Sequence, residues 1–378
     1  TAGVPLLIGT AGTCGSDSAV DWMLGITLEI ARERGEPLKI ATLKSEQDRR
    51  RVTTAFDAGK ITALHAAPAI SGSVIEECTN IVALAGIEQI QAALKTGADI
   101  IIAGRATDTA VIAALPIARG CHRGAAWHGA KVAECGALAT TNPNSGVILM
   151  TFDETGFVIE PMADDAAATP HTVSAHMLYE NADPFILHEP GGYLDVSESR
   201  YIALDERVVR VEGSKWHDTW PYTVKLEAAR HVGYQTISMV MVRDRHYRAH
   251  IEEWVAALEA SYARKSAARH LEDVQLEIRI IGHSATLGAL ENAAGDRGEA
   301  GVMAIFTSPS QSRSTEAAKL LNPDLLHLPL TPHEPMPTFA FPFSPPEMER
   351  GALYEFCLHH TLTLDDPMSA FWLDTMES

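Results

Sequence analysis

An arginine and an aspartate interrupt a long apolar stretch in GADIIIAGRATDTAVIAALP, which covers residues 97–116. Three isoleucines run into Gly104, Arg105 and Asp108 follow, and a second apolar segment begins at once. The planar guanidinium of Arg105 could bind a carboxylate or a phosphate, and Asp108 could orient that guanidinium or act as a base. The alternative is an internal Arg105–Asp108 pair that only caps a helix.

A glycine-rich segment, GTAGTCGSD, offers a second place for an anion. Its backbone N–H groups could point at an anion above a helix N-terminus, with Gly9, Gly12, Thr13 and Gly15 as binding residues. The G-x-x-G-x-x-G spacing differs from the dinucleotide fingerprint and from the Walker sequence, so NAD and ATP are disfavoured and the cofactor stays unknown. The alternative is a tight turn without a ligand.

WHGAKVAECGALA, at residues 127–139, predicts His128, Lys131 and Cys135 on nearly one face of a helix, with Glu134 near its edge. A half-buried Glu134 could have a raised pKa and serve as an acid or a base. The alternative is an exposed Glu134 that pairs with Lys131. Cys135 is expected to be a small buried residue rather than a nucleophile.

Other polar side chains give weaker signals. In HMLYE, His176 and Glu180 stand at i, i+4 and could reach one metal ion, but no H-E-x-x-H is present, so we predict no metal site. Lys225 in YTVKLEAA, and His188 and Glu189 before PGGY, lie at strand or loop edges. Each of these three residues, taken singly, is expected to be structural.

Composition excludes several classes of partner. The 378 residues carry a net charge of −19, which argues against nucleic acid or an anionic membrane as the main partner. No apolar run approaches the ~18 residues of a membrane span, and no signal peptide is evident. The five cysteines are scattered and never form a CxxC pair, so we expect reduced thiols in the cytoplasm.

The N-terminal part alternates strand-like and helix-like segments. VPLLIG, LKIATL and ADIIIAG are apolar without alternation, which is typical of parallel strands that are covered on both faces. Between them we predict a helix that begins at Ser16 or Asp17 and ends at Gly35, and helices over 74–85 and 87–95. This order predicts a doubly wound, mainly parallel α/β (Rossmann-like) domain over 1–145.

An α+β domain is predicted over 146–378. Its predicted elements include a hairpin around 153–156, a helix from Thr169 to Pro184, strands over 222–229 and 233–244, a helix over 246–270 and a last strand over 352–364. In an open parallel sheet, ligands bind beyond the carboxyl ends of the strands. Arg105 and the Gly9–Gly15 loop both follow such strands, so we expect them to face one cleft.

Several of these stretches together resemble the acyclic terpene utilisation AtuA family. The matching segments are GADIIIAGRATDTAVIAALP, WHGAKVAECGA, TPHTVSAHMLYENADP, VKLEAARHVGYQTI, FAFPFSPPEM and LYEFCLHHTLTLDDPMSAF, in the family's order. The IGTAGT start and the GRATDT turn are similar to a branch that accompanies a separate small subunit of ferredoxin-like fold. Other members carry that fold at the C-terminus, whereas this sequence ends at DTMES, so the resemblance implies a hetero-oligomer.

The family's name comes from bacterial gene clusters that degrade branched terpene alcohols through CoA thioesters. The resemblance implies an enzyme of carboxylic-acid or acyl-CoA catabolism, such as a lyase of hydratase/dehydratase type. Arg105, Thr107 and the Gly9–Gly15 loop would hold an anionic substrate. The groups that would move protons are Asp108 or Glu134, together with Tyr179 or Lys225. The alternative is a non-catalytic subunit that binds an acyl-CoA or organises a catabolic complex.

Overall fold

The structure is a computed structural model that describes residues 3–144, 146–283, 290 and 298–378. Within these ranges, no helix combines the length and the apolar character that a membrane crossing requires. The elements below are numbered in chain order.

The chain forms two compact units, one of residues 1–230 with 356–378 and the other of 231–355. Each unit has its own apolar core. Trp127, Ile90 and Leu226 are fully buried in the first unit, and Trp254 and Phe306 are fully buried in the second. The sequence-based division after residue 145 stays a prediction.

The first unit begins with strands and helices in alternation. They are β1 (Leu6–Ile8), α1 (Asp17–Arg34), β2 (Lys39–Lys44), α2 (Arg49–Asp57), β3 (Ile61–Ala63), α3 (Gly72–Glu77), β4 (Cys78–Ala83), α4 (Ile87–Lys95), β5 (Ile100–Ala103), α5 (Asp108–Ala118) and α6 (Arg123–Ala133). As predicted, the Ser16 hydroxyl caps α1, and Gly35 ends it in the left-handed conformation, where a residue without Cβ carries no steric cost.

Antiparallel elements follow in the first unit. They are β6 (Ile148–Phe152), β7 (Gly156–Pro161), α7 (Pro170–Ala175), β8 (Ile186–Glu189), β9 (Gly192–Asp195), β10 (Arg200–Ala203), β11 (Val209–Glu212), β12 (Lys215–Asp218) and β13 (Thr223–Val242). The predicted hairpin is confirmed, since β6 and β7 pair around a turn at Asp153. The sheet orders are β10-β11-β7-β6 and β12-β9-β8.

The remaining elements complete the second unit and return to the first. They are α8 (Arg245–Ala249), α9 (Ile251–Ala267), β14 (Gln275–Ile281), β15 (Ala300–Ser308), α10 (Gln311–His327), β16 (Glu347–Thr363) and β17 (Trp372–Glu377). In the second unit, β15 pairs antiparallel with β14 and with residues 234–242 of β13.

The fold class is confirmed as mixed α/β, with a mainly parallel sheet followed by antiparallel sheets and helices. β5 lies between β1 and β2 and is parallel to both. The carboxyl ends of β1 and β5 therefore lie at one edge of this sheet, where the chain enters the Gly9–Gly15 loop and the Arg105 turn.

Three predicted elements differ from the structure because of partners elsewhere in the chain. Residues 74–85 are not one helix: α3 ends at Glu77, and β4 pairs antiparallel with the start of β13. The strands predicted over 222–229 and 233–244 are one strand, β13, with a bulge after Ala229. A short apolar run does not distinguish a strand from a helix, so strand pairing decides.

The predicted helix over 246–270 is divided. His250, with a φ of −118°, separates α8 from α9. The strand that was predicted to be last is followed by β17, which pairs antiparallel with β2 and makes the sheet of β1, β5 and β2 mixed at that edge.

Candidate functional site

A cavity of about 440 Å³ opens in the first unit where the Arg105 turn, α6 and the end of β8 come together. Its described lining includes five of the residues that the sequence singled out for chemistry, which are Arg105, Thr107, Asp108, Glu134 and Lys225. The volume lies in the range of roughly 300–1,000 Å³ that is typical of small-molecule sites. We therefore take this cavity as the candidate active site.

The Arg105 turn is fixed by close backbone contacts. The Arg105 N–H donates to Ser45 Oγ at 2.8 Å and to the carbonyl of Gly15 at 3.1 Å. A Cβ at Gly104 would lie 2.8 Å from Ser45 Oγ and 2.9 Å from that same carbonyl, so a larger residue does not fit there. The turn then leads into α5, whose first N–H groups are capped by the Thr107 hydroxyl.

Arg105 binds a carboxylate that the sequence analysis did not consider. Its Nε donates to Glu227 Oε2 at 2.9 Å, and Lys225 Nζ lies 2.7 Å from the other oxygen, Glu227 Oε1. The alternative interpretation of an Arg105–Asp108 pair as a helix cap is wrong, because Glu227 is the ion-pair partner of Arg105 and Thr107 is the cap.

Glu227 stands between two cations that line the cavity, and is itself outside the described lining. Burial alone would raise the pKa of Glu227, but Lys225 and Arg105 outweigh it and hold that pKa below its ordinary value. This cluster therefore has two positive charges for one stable negative charge. Among the described hydrogen bonds, none uses Nη2 of Arg105, so the guanidinium has donors left for a ligand.

The Gly9–Gly15 loop supports the Arg105 turn. A Cβ at Gly15 would lie 2.3 Å from the Arg105 backbone nitrogen, and Arg105 Nη1 is 3.5 Å from the Thr13 carbonyl oxygen. Gly12, Thr13 and Gly15 all have left-handed φ angles, between 59° and 70°. The two loops meet at the same sheet edge, but the described lining of the cavity includes none of the loop residues. Anion binding by this loop stays a prediction.

Lys131 and Glu134 form a buried ion pair. Lys131 Nζ lies 2.9 Å from Glu134 Oε2, and the two side chains are 3% and 12% exposed. Burial raises the pKa of Glu134, although Lys131 acts in the opposite direction. The two interpretations of Glu134 are thus both correct in part: it pairs with Lys131, and it is a buried acid with a raised pKa. Burial also raises the pKa of Asp108.

His128, Lys131 and Cys135 were predicted to share one face of a helix, and this is wrong for Cys135, which lies outside the helix. α6 ends at Ala133, and Cys135 follows in a left-handed conformation with a φ of 47°. Cys135 is exposed rather than buried. His128 is fully buried, and its Nδ1 is 2.7 Å from Ser214 Oγ. Burial lowers the pKa of His128 to about 3, so it is a neutral core residue.

Tyr179 lies outside the described lining of the cavity. Its hydroxyl donates to Cys135 Sγ at 3.4 Å, which raises its pKa. Its ring lies 5.4 Å from Lys131 Nζ and stacks on His176. Tyr179 therefore contacts a residue of the site without facing the cavity in this structure.

The helix that was predicted to run to Pro184 is shorter. Thr169 and Pro170 begin α7 as predicted, but it ends at Ala175, a single 3₁₀ turn follows, and Glu180 has a φ of 50°. His176 and Glu180 consequently do not share a helical face. The His176 Nε2 is 2.8 Å from the carbonyl oxygen of Glu134. Across the described part of the chain, no group of three or more His, Cys, Asp or Glu side chains could hold a metal ion.

Glu189, which was expected from the sequence to be structural, ends β8 and lines the cavity. Glu189 Oε1 accepts a hydrogen bond from the Thr109 hydroxyl, whereas Oε2 is buried without a described hydrogen-bond partner. Burial raises the pKa of Glu189 to about 7. One polar residue at a strand end carries no sequence signal of burial, so no pattern could have indicated this.

Comparison with known proteins assigns the chain to a protein family. The model of the acyclic terpene utilisation family protein AtuA matches residues 21–324, which include the described cavity residues from Leu84 to Lys225. No curated protein matches the chain, and no solved structure matches it.

Proposed function

This chain belongs to the acyclic terpene utilisation AtuA family, and we propose that it is a subunit of a lyase of hydratase/dehydratase type. The substrate would be an anionic small molecule of carboxylic-acid or acyl-CoA catabolism. One observation carries the proposal: Arg105 and Lys225 line the cavity and share the single carboxylate of Glu227, and the same lining contains the half-buried acid Glu134.

The cations support binding of an anion. A chain with a net charge of −19 repels anions at long range, so a carboxylate ligand needs a local positive cluster. Arg105 contacts Glu227 through Nε and Lys225 contacts it through Nζ, and both side chains keep further N–H donors that can bind a ligand. These donors suit a carboxylate or a thioester carbonyl, and about 440 Å³ accommodates a small acid or the acyl part of a thioester.

The carboxyl groups support proton transfer. Hydration and dehydration need one group that exchanges the proton on the carbon next to the carbonyl and another that assists the oxygen at the next carbon. Glu134 fits the first role, because burial raises its pKa and Lys131 holds its carboxylate in place. Asp108, whose pKa burial also raises, is the second candidate for this role.

The test begins with turnover of 3-hydroxy acids, their CoA thioesters and the matching enoyl compounds, followed by the variant Arg105→Lys. This variant keeps the charge and removes the planar fork, so we expect substrate binding to weaken by about 1.5–3 kcal/mol while the chain stays folded. Arg210→Lys is the matched control, because Arg210 pairs with Asp153 and Glu212 and is not part of the described cavity lining.

A loss of melting temperature with normal binding in Arg105→Lys would contradict the proposal, because Arg105 would then only stabilise the fold. Ligand binding by the wild-type chain without any turnover would instead favour a non-catalytic, acyl-CoA-binding subunit.

We also propose that the functional unit includes a small separate subunit of ferredoxin-like fold. The support is the resemblance of the IGTAGT and GRATDT segments to the family branch that has such a subunit. Co-purification of the two chains, followed by assay of the chain alone and of the complex, tests this. Full activity of the chain alone would contradict it.

A further inference from the structure

Glu189 lines the cavity and takes part in no described ion pair, unlike Glu134 in the same lining and the neighbouring Glu227. Glu134 pairs with Lys131, and Glu227 with Arg105 and Lys225. Among the ion pairs of the described residues, none includes Glu189. A negative charge at this position would have hydroxyl groups and the charge of Lys131 to stabilise it, but no ion pair, and burial still makes the ionised form costly.

The hydrogen bonds of Glu189 indicate where a proton would sit. The Thr109 hydroxyl donates to Oε1, and this leaves Oε2 as the oxygen that can carry hydrogen. Oε2 is buried and has no partner among the described residues. A buried polar atom without a partner costs free energy unless a ligand or a water satisfies it. Because Oε2 has almost no accessible surface here, the transfer requires that the carboxyl turns towards the cavity that Glu189 lines, where a bound substrate supplies the missing acceptor.

We propose that Glu189 is the proton donor of the reaction and that its Oε2 passes a proton to the oxygen that leaves the substrate as water. This inference rests on the proposed function, because it assigns a residue within that same reaction. Thr109 is then a positioning residue, since it holds the carboxyl through Oε1 and does not itself transfer the proton.

The titratable groups around Glu189 are of both signs. α5 contributes Asp108, α6 contributes Lys131 and is followed by Glu134, and β13 contributes Lys225 and is preceded by Tyr222.

Three further titratable residues line the cavity, namely Glu180, His188 and Arg105. Burial is the main cause that raises the pKa of Glu189, the Glu134 charge raises it further, and Lys131 and the hydroxyl groups of Thr107 and Thr109 lower it. The resulting pKa of Glu189 is about 7, so a large fraction of its carboxyl is protonated at neutral pH.

The proton balance of a dehydration then closes. The Glu134 carboxylate takes the proton from the carbon next to the carbonyl, and the electron pair of that C–H bond forms the new C=C bond. The C–O bond at the next carbon breaks with its electron pair on oxygen, and this oxygen takes the proton from Glu189 Oε2 and leaves as water. Return of one proton from Glu134 to Glu189 restores the site, and hydration is the reverse.

Infrared difference spectra of the unliganded chain test the protonation state. We expect the C=O stretch of a protonated carboxyl at pH 6 that disappears as the pH rises through about 7 and is absent in Glu189→Gln. The amide oxygen of Gln can still accept the hydrogen bond from the Thr109 hydroxyl, so we expect this variant to fold. Glu160→Gln is the matched control, because Glu160 is exposed on β7, and it should keep the band. A spectrum without a Glu189-dependent band would overturn the proposal.

Kinetics test the transfer itself. We expect Glu189→Gln to lower kcat by about 10²–10⁴-fold, the usual contribution of a general acid, and to remove the alkaline limb of the pH profile. Thr109→Val keeps the acid and removes a hydrogen bond that lowers the pKa of Glu189, so that limb should move to higher pH. A near-normal kcat in Glu189→Gln, or an unmoved limb in Thr109→Val, would overturn the assignment.

The two proposals fail in different ways. A chain that converts no hydroxy acid or enoyl compound, alone or with its small subunit, overturns the proposed function and the proton transfer together. A chain that does convert them, but whose Glu189→Gln variant is as active as the wild type, leaves the proposed function in place and overturns only the role of Glu189.

Discussion

Two carboxyl groups, Glu189 in the lining of the cavity and Glu227 behind two cations of that lining, have opposite electrostatic surroundings. Glu227 has a side chain that is 16% exposed and stands between Arg105 and Lys225, and its pKa is lowered. Glu189 accepts a hydrogen bond from the Thr109 hydroxyl and is in no described ion pair, and its pKa is raised to about 7. Burial acts on both pKa values in the same direction, so the difference comes from the partners. Burial alone therefore does not decide whether an acid near this cavity is charged.

The largest expected effect is the pH dependence of stability that Glu189 causes. Its pKa in the folded chain, about 7, is above the ordinary value of 4.5, so the native state holds an extra proton between these values. The free energy of unfolding must then fall as the pH rises through this interval. Relative to Glu189→Gln, the wild type should lose roughly 2–3 kcal/mol between pH 5 and pH 8.

Urea unfolding of both proteins at several pH values measures this difference. Parallel curves for wild type and variant would show that Glu189 ionises as an ordinary glutamate and would remove the contrast with Glu227.

A smaller loss of unfolding free energy is expected from Glu227→Gln. The variant leaves the charges of Arg105 and Lys225 without their carboxylate, and breaking a fully buried pair costs 3–5 kcal/mol. These two side chains are 28% and 32% exposed, so water screens them and we expect about 1–2 kcal/mol at pH 7.

Asp365→Asn is the control for this experiment, because Lys60–Asp365 is an exposed pair and should change the unfolding free energy by less than about 1 kcal/mol. Equal effects of the two substitutions would mean that Glu227 is no more than a surface ion-pair partner.

The smallest expected effect is that of Tyr179→Phe. Phe keeps the ring beside Lys131 and loses only the 3.4 Å contact with Cys135 Sγ, a weak acceptor. We expect a change in stability of less than about 1 kcal/mol and a kcat within about threefold of the wild type. A much lower kcat with unchanged stability would instead support the sequence-based assignment of Tyr179 to proton transfer, and would mean that it turns towards the cavity when substrate binds.

Local signals in the sequence predicted part of this molecule correctly. Ser16 and Gly35 bound α1 because a side-chain cap and a left-handed glycine act within a few residues of the helix. The hairpin at Asp153 follows for the same reason. The turn at Arg105 was found because a charged residue after a continuous apolar strand is exceptional in a parallel sheet.

Contacts between distant residues could not be predicted in this way. The sequence of β4 was predicted to be helical, and only its pairing with β13 shows that it is a strand. β17 pairs with β2, from which it is separated by more than 300 residues of sequence. The pairing of Arg105 with Glu227 joins residues 122 positions apart. No local pattern encodes these contacts, because they depend on how complete elements pack.

The sequence by itself determined the parallel α/β beginning and the position of Arg105 at the end of β5, since periodicity, caps and composition are properties of neighbouring residues. The tertiary structure alone decided the states of the acids. It brought Glu227 between two cations and buried Glu189 beside a hydroxyl, and the pKa of a carboxyl depends on the burial and charge of what lies around it in space.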